Sequence, residues 1–279
     1  MYFWLVELEN YLFAFLLTFI AGISTGIGSL LAFFTKKTNT KFLSVALGFS
    51  AGVMIYISMI ELFHESLEYF VDAKGVDAAK WLTVLFFFSG MLIIALIDKL
   101  IPNFENPHEI RKVEDIEAKD NKEARPKDLK KLKRVGLVTA LAITIHNVPE
   151  GLAIFITAVQ DPAMGIAIAV AIAIHNIPEG IAVAVPVYYG TGSRKKAFLW
   201  SLLSGLSELV GALIGFLLLM PFLSPMLFGA LFAMVAGIMV YISFDTLLPA
   251  AREYGENHLA VYGLILGMMV MAVSLNLLL

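Results

Sequence analysis

The chain has 279 residues, of which 59% are hydrophobic and 15% charged, and its mean hydropathy is +0.83. This apolar share is well above that of soluble globular domains and excludes a water-soluble fold. The formal net charge of −3 identifies no partner, and the absence of Cys excludes disulfides and thiolate metal ligands. The composition predicts an all-α integral membrane protein.

Apolar runs of about 20 residues, the length of a membrane-crossing helix, recur along the whole chain. We number them spans 1 to 8 and keep these numbers below: 11–34, 42–64, 81–101, 135–158, 163–189, 197–220, 226–248 and 259–279. Residues 102–134 form the one long connection, which is densely charged with mixed signs. We expect a single transmembrane domain over 1–279 that lies in the lipid bilayer, with a charged cytoplasmic loop at 102–134. We expect no nucleic-acid partner.

The basic residues predict the orientation of the chain. With the N-terminus outside, Lys74 and Lys80 fall outside, and all the other Lys and Arg residues fall inside. The short loops follow the positive-inside rule even without the long loop. Both termini are therefore predicted to be extracytoplasmic. The acidic start of the chain lacks the basic n-region of a cleaved signal peptide, so we expect span 1 to be retained.

One six-residue motif occurs twice in the apolar part of the chain. His-Asn-Val-Pro-Glu-Gly occupies 146–151 in span 4, and His-Asn-Ile-Pro-Glu-Gly occupies 175–180 in span 5. Ionisable side chains at bilayer depth are expensive and usually mark a path for ions or protons. A single such His is often a packing residue, but two matched copies favour a site for a divalent metal ion.

A second repeat links spans 2 and 7. The segment Ala-Gly-Val-Met-Ile-Tyr-Ile-Ser at 51–58 matches Ala-Gly-Ile-Met-Val-Tyr-Ile-Ser at 236–243. Spans 2 and 7 run in opposite predicted directions, as do spans 4 and 5. Similar segments that run in opposite directions indicate an inverted-topology repeat with the substrate site near the midplane of the membrane. We expect a 3+2+3 arrangement in which spans 1–3 mirror spans 6–8 around spans 4 and 5.

The depths of the two motif copies agree with a shared site. Counting about 1.5 Å per residue from the turn at Asp161, both copies fall about 16–26 Å below the outer surface. In a hydrocarbon core about 30 Å thick, this places them opposite each other near its middle. Glu208 lies halfway along span 6 and reaches the same level. Spans 4, 5 and 6 are thus expected to bring their polar groups together.

The residue types in the motif suit metal binding. Within each copy, His and Glu are four positions apart and lie on one helix face, so His146 can pair with Glu150 and His175 with Glu179. Pro149 and Pro178 lack an N–H, which frees a backbone carbonyl one turn earlier. Clustered carboxylates would repel one another unless a divalent cation or protons were bound, which links metal release to protonation.

Other polar residues have weaker claims. Glu61 and His64, with further acidic residues at the outer end of span 2, are candidate ligands on the path into the site; a solvated helix end is the alternative reading. Asp245, near the inner end of span 7, is a candidate ligand on the path out. We assign Met54 and Met239, which occupy twin positions, to packing.

Small and hydroxylated residues of span 1 form a further group. They are expected to allow close approach between helices rather than to bind an ion. The group comprises Ser24, Thr25, Gly26 and Gly28.

The doubled motif and Glu208 resemble the ZIP (Zrt-, Irt-like) family of divalent metal transporters, and specifically its bacterial zinc-uptake branch. The resemblance covers nearly the whole chain, including eight spans and the long loop after span 3. It implies a binuclear site, with the two His and two Glu around one ion and Asn147, Asn176 and Glu208 completing a second position. It also implies a homodimer in the bacterial inner membrane and elevator-like movement of the central helices. Many relatives have a His-rich loop between spans 3 and 4, whereas here it holds only His108.

The function predicted from the sequence is uptake of a divalent transition metal into the cytoplasm, with no prosthetic group. Nitrogen and oxygen ligands suit Zn²⁺ and also Fe²⁺, Mn²⁺, Co²⁺ or Cd²⁺. Zinc and the uptake direction follow from the resemblance. Two alternatives stay open: efflux or metal/proton exchange on the same site, and a membrane di-iron enzyme, which also uses carboxylate and His ligands on bundled helices.

Overall fold

The computed structural model describes residues 2–34, 40–100, 144, 147–219, 222, 224–254 and 257–278. These residues are helical apart from short turns, and they contain no β-strand. The predicted loop 102–134 and the first half of span 4, including His146, lie outside the described residues.

The helices follow the predicted spans closely in number and order. In span order they are Tyr2–Phe34; Thr40–Tyr56, continued by Ile57–Leu62 and Phe63–Lys74; Val76–Leu100; 147–160; Pro162–Thr191; Arg194–Ile214, continued by Gly215–Leu219; Pro225–Ile242, continued by Ser243–Leu247 and Leu248–Tyr254; and Asn257–Leu278. Seven of them are long and apolar enough to cross a membrane within the described residues. Span 4 is described only in its second half.

Span 2 is longer than predicted. Its helix continues past residue 64 to Lys74, where Gly75 ends it with a positive φ of 81°. The extension buries Phe70 and Ser66, whose hydroxyl donates to the carbonyl of Gly229 (2.7 Å). No helix-breaking residue precedes Gly75, so this packing carries the helix on beyond the apolar run.

The twin segments of spans 2 and 7 share an unusual local structure. In both, the α-helix passes into a short π-helical stretch at the end of the repeated sequence, at Ile57–Leu62 and at Ser243–Leu247. Met54 and Met239, the twin methionines, are both buried. Since π-helical turns are rare and cluster at functional sites, their matched positions indicate that the repeat extends to backbone geometry.

Helix contacts show the same symmetry. A Cβ on Gly52 of span 2 would overlap the carbonyl oxygen of Leu264 in span 8. A Cβ on its twin, Gly237 of span 7, would overlap the carbonyl oxygen of Phe87 in span 3. Span 2 therefore packs on span 8 as span 7 packs on span 3. Contacts exchanged in this way are expected when two halves of a chain are related by a pseudo-two-fold axis. The predicted 3+2+3 plan with an inverted repeat is therefore confirmed.

The remaining spans form a second group with matching contacts. Gly28 of span 1 lies against the carbonyl of Ile177 in span 5, and Gly211 of span 6 lies against the carbonyl of Val148 in span 4. Val148 and Ile177 occupy the same position in the two motif copies. Spans 1, 4, 5 and 6 thus pack together, while spans 2, 3, 7 and 8 form the other group.

Each group has its own aromatic cluster. Phe15, Phe155 and Phe216 join spans 1, 4 and 6, with ring centroids 4.9–6.3 Å apart. Tyr69 stacks on Phe228 of span 7 at 5.2 Å in the other group. Edge-to-face and stacked rings of this kind fix helices beyond the effect of area burial.

Candidate metal centre

The two motif copies approach each other because spans 4 and 5 are joined by a tight turn. Asp161 caps span 5: its Oδ1 accepts from the backbone N–H groups of Ala163 (2.8 Å) and Met164 (3.1 Å). Pro162 occupies the first helical turn, where its missing N–H costs nothing. The turn makes the two helices antiparallel, so that equivalent motif positions face each other.

Three predicted ligands meet in the protein interior. Glu150 of span 4 and His175 and Glu179 of span 5 each offer a ligand atom, and these atoms all lie within 4.8 Å of one another. Nε2 of His175 is 3.3 Å from Oε1 of Glu150, so the contact crosses from one copy to the other. All three side chains are fully buried. The two copies therefore form one shared cluster rather than two separate ones.

The two motif asparagines make equivalent hydrogen bonds. Nδ2 of Asn147 donates to the carbonyl of Ser204 (3.0 Å), and Nδ2 of Asn176 donates to the carbonyl of Ala21 (3.0 Å). Both side chains are fully buried, and neither Oδ1 atom accepts a hydrogen bond from a described residue. A buried acceptor without a donor is costly. Two such oxygens beside buried carboxylates suit a cation.

Glu208 of span 6 joins the site through Asn176. Its Oε1 accepts a hydrogen bond from Nδ2 of that residue, and its side chain is fully buried. Gly151 allows this approach, because a Cβ there would overlap the backbone of Glu208. The structure thus places Glu208 beside the motif copies, as the depth argument predicted.

The electrostatics of this region favour a divalent cation. Glu150 and Glu179 are buried in one group with His175, and Glu208 is buried beside Asn176. Every described Lys and Arg side chain is exposed to the surroundings, so none lies in the interior beside these carboxylates. Buried carboxylates that are clustered in this way favour protonation or the binding of a metal ion. The available donors are imidazole nitrogen with carboxylate and amide oxygen, which suit borderline divalent ions such as Zn²⁺.

The other predicted residues lie away from this cluster. Glu61 is half-buried in the π-helical stretch of span 2, and His64 is exposed, with its Nε2 3.2 Å from Oε1 of Glu68. Asp245 is half-buried in the π-helical stretch of span 7. Within the part of the chain that the structure describes, none of the three joins Glu150, His175 and Glu179 in one ligand group. Their roles on the path of the ion stay predictions.

Sequence reasoning missed the partners of the asparagines. Backbone carbonyls carry no sequence signal, so the contacts with Ala21 and Ser204 were not predictable from the motif. The hint lay in the small residues around them: Gly22 and Gly205 allow spans 1 and 6 to cross at close range, since a Cβ on either would crowd the carbonyl of the other.

A helical membrane domain with a buried nitrogen and oxygen ligand cluster on a pseudo-two-fold axis defines the class of protein. Residues 9–275 match the sequence model of the family described as "ZIP Zinc transporter". The chain belongs to this family, which is a family of transporters. The di-iron enzyme considered from the sequence is therefore not supported.

Similar proteins extend over the whole chain. A protein of Clostridium perfringens named "Zinc transporter ZupT" is 58% identical over 277 residues, covering 96% of this chain and 97% of its own length. Proteins of the same name from Nitratidesulfovibrio vulgaris and Streptococcus mutans are 58% and 59% identical. These alignments cover 97% and 94% of this chain and 99% and 96% of the respective relatives.

Proposed function

We propose that this protein carries Zn²⁺ across the membrane into the cytoplasm through the buried cluster of Glu150, His175 and Glu179. The observation that carries the proposal is the meeting of these three side chains at one place, with one ligand atom from each within 4.8 Å of the others. Zinc is supported by the names of the relatives and by the donor set. Fe²⁺, Mn²⁺, Co²⁺ and Cd²⁺ could use the same donors and are the natural competitors.

Further oxygen donors beside the first metal position would allow a second ion to bind. His146 would complete the first position, since it stands four residues before Glu150 in the sequence, the spacing at which side chains on a helix meet. Asn147, Asn176 and Glu208 would supply oxygen ligands to a second, adjacent ion that shares the glutamates. The two Oδ1 atoms without a described donor support this arrangement.

Transport by alternating access fits the two helix groups. Span 5, which carries His175 and Glu179, also contacts spans 2 and 8 of the other group. At this contact, the hydroxyl of Ser50 lies 3.5 Å from the carbonyl of His175. Movement of spans 1, 4, 5 and 6 against the other group would carry the site with it. Glu61 and His64 would receive the ion from outside, and Asp245 would pass it to the cytoplasm.

The cellular setting follows the orientation predicted from the basic residues. We place the protein in the bacterial inner membrane as a homodimer, with both termini extracytoplasmic and the loop 102–134 in the cytoplasm. The seven long apolar helices support the location of the protein in a membrane.

Uptake of radioactive zinc into proteoliposomes tests the proposal. Wild-type protein should accumulate zinc, and Glu150→Ala and His175→Ala should abolish uptake while the purified protein stays monodisperse. Glu9→Ala, which changes an exposed glutamate on span 1, is the matched control and should leave uptake unchanged. Competing metals and an imposed pH gradient in the same assay would rank the substrates and report proton coupling. Normal uptake by both site variants would refute the site.

A further inference from the structure

Thr25 of span 1 occupies the position that mirrors Glu208 of span 6. Gly180, the last residue of the second motif copy, lies directly against the carbonyl of Thr25. Gly151, the last residue of the first copy, lies directly against the carbonyl of Glu208. Because the two copies are related by the pseudo-two-fold axis, the residues that they contact are related too.

The asparagine hydrogen bonds give the same correspondence independently. Asn176 donates to the carbonyl of Ala21, four residues before Thr25, and Asn147 donates to the carbonyl of Ser204, four residues before Glu208. Both asparagines therefore use the same relative position on spans 1 and 6. Thr25 is thus expected beside Asn147, just as Glu208 lies beside Asn176.

The Thr25 hydroxyl is exceptional among the buried hydroxyls of span 1. Thr18, one of its neighbours, donates to the carbonyl one turn earlier in its own helix, at Ala14 (2.9 Å). This is the usual behaviour of Thr in a membrane helix. Thr25 is equally buried, yet its Oγ1 makes no hydrogen bond to a described residue. The carbonyl one turn earlier, at Ala21, already accepts from Asn176 and from Ser24.

The two halves of the site differ in reach and charge. The carboxylate of Glu208 extends far enough to bond Asn176 directly. The hydroxyl of Thr25 ends two bonds closer to its backbone, so it falls short of the matching contact with Asn147. Oδ1 of Asn147 likewise accepts no hydrogen bond from a described residue. Two buried polar oxygens on the same side of the site, neither bonded to a described residue, are the kind of partners that an ordered water requires.

We propose that Thr25 Oγ1 and Asn147 Oδ1 form a neutral half-site that binds a water molecule coordinated to the transported divalent cation. The cation is then held by protein ligands alone on the Glu208 side. On the Thr25 side it is held by Asn147 Oδ1, which also accepts from the water, and by that water itself. This asymmetry lets the ion keep part of its hydration shell and leave again. The inference rests on the proposed transport function and assigns Thr25 a positioning role in it.

Zinc uptake by Thr25 variants in proteoliposomes tests this inference. Thr25→Val keeps the shape of the side chain but removes the hydroxyl. It should raise the KM for zinc by about two- to tenfold, because the loss of one hydrogen bond weakens binding by about this factor. Thr25→Ser keeps the hydroxyl and should transport with the wild-type KM. Thr18→Val is the matched control on the same helix and should also leave the KM unchanged.

A wild-type KM in Thr25→Val would overturn the inference while leaving the transport function intact. Equal losses in Thr25→Val and Thr25→Ser would also overturn it, because they would show that Thr25 acts through packing. Failure of the wild-type protein to take up zinc would instead refute the transport function itself.

A double-mutant cycle adds a readout that packing would not move. Because Thr25 and Asn147 share one water, Thr25→Val should have no further effect on the zinc Kd in an Asn147→Ala background, measured by calorimetry on purified protein. If the double variant changed the zinc Kd by the product of the two single-variant factors, the two residues would act independently and would not share a water. The comparison of Thr25→Val with Thr25→Ser decides the matter even where the Asn147 variant cannot be purified.

Discussion

The asparagines of the doubled motif show how single residues prepare the site for a cation. Each amide nitrogen is used by a backbone carbonyl of a neighbouring span, which fixes the side chain and turns its oxygen into an acceptor without a described donor. In the proposed site, a divalent ion would supply positive charge to these oxygens and to the adjacent carboxylates. On this proposal, the hydrogen bonds orient the metal ligands as well as stabilise the fold.

Removal of one oriented asparagine should weaken metal binding more than folding. Asn176→Ala removes the donor to Ala21 and to Glu208, and we expect the zinc Kd to rise by about tenfold or more, as for other groups that orient metal ligands. The control is Asn276→Ala, an exposed asparagine that bonds only the carbonyl of Ala272 in its own helix. Calorimetry with zinc checks both variants. Equal affinities would contradict an orienting role.

At the residue level, the sequence predicted what depends on residue type. The doubled His and Glu positions and Glu208 were identified because ionisable groups stand out in an apolar chain. Thr25 was assigned to packing because it belongs to a group of small and hydroxylated residues of span 1 that allow helices to approach closely. The carbonyl one turn before Thr25, at Ala21, already accepts from Ser24 and from Asn176, and the second of these contacts joins helices far apart in the sequence.

At the level of helices, the motif glycines set the distance between spans. Gly151 and Gly180 lie so close to the backbones of spans 6 and 1 that no Cβ can be accommodated without moving a helix. Backbone shifts of this kind cost about 1–3 kcal/mol or more. The glycines therefore hold the ligands of spans 4 and 5 against Glu208 and Thr25.

We expect Gly180→Ala to lower the melting temperature of the purified protein and to reduce zinc uptake strongly. The control is Gly26→Ala in span 1, where the nearest atoms to the added methyl belong to side chains, those of Leu202 at 3.0 Å and Phe198 at 3.6 Å, and not to a backbone. Thermal unfolding in detergent and uptake in proteoliposomes measure the two effects. An unchanged melting temperature in Gly180→Ala would show that spans 1 and 5 can separate without cost.

The sequence was less informative about the ends and irregularities of helices. The apolar run of span 2 stops near residue 64, but the helix continues to Lys74 because Phe70 and Ser66 pack against span 7. The π-helical stretches at Ile57–Leu62 and Ser243–Leu247 have no known sequence signature and emerged only in the structure. Their twin positions nevertheless agree with the sequence repeat.

At the scale of the whole molecule, the inverted repeat creates one site from two half-chains. Spans 4, 5 and 6 carry the candidate ligands and pack with span 1, and spans 2, 3, 7 and 8 form the group against which they pack. The architecture was predictable because a short repeat and the basic-residue pattern fixed the relation of the halves. The grouping of the helices was not, since it depends on close backbone contacts.

The orientation of the molecule can be checked directly because the chain has no Cys. Lys74 and Lys195 are both exposed and lie at opposite predicted sides of the membrane. A membrane-impermeant maleimide should label Lys74→Cys in intact cells, and it should label Lys195→Cys only after permeabilisation. The reverse pattern would place the termini in the cytoplasm and contradict the positive-inside assignment.

The central claim is that the two motif copies form one shared metal site. Bound zinc per protein, measured by equilibrium dialysis and elemental analysis, tests it most directly in Glu150→Ala, Glu179→Ala and the double variant. Because both glutamates belong to one cluster, each single substitution should remove as much bound zinc as the double substitution. Retention of half the zinc in each single variant, with complete loss only in the double, would show two independent sites and contradict the account.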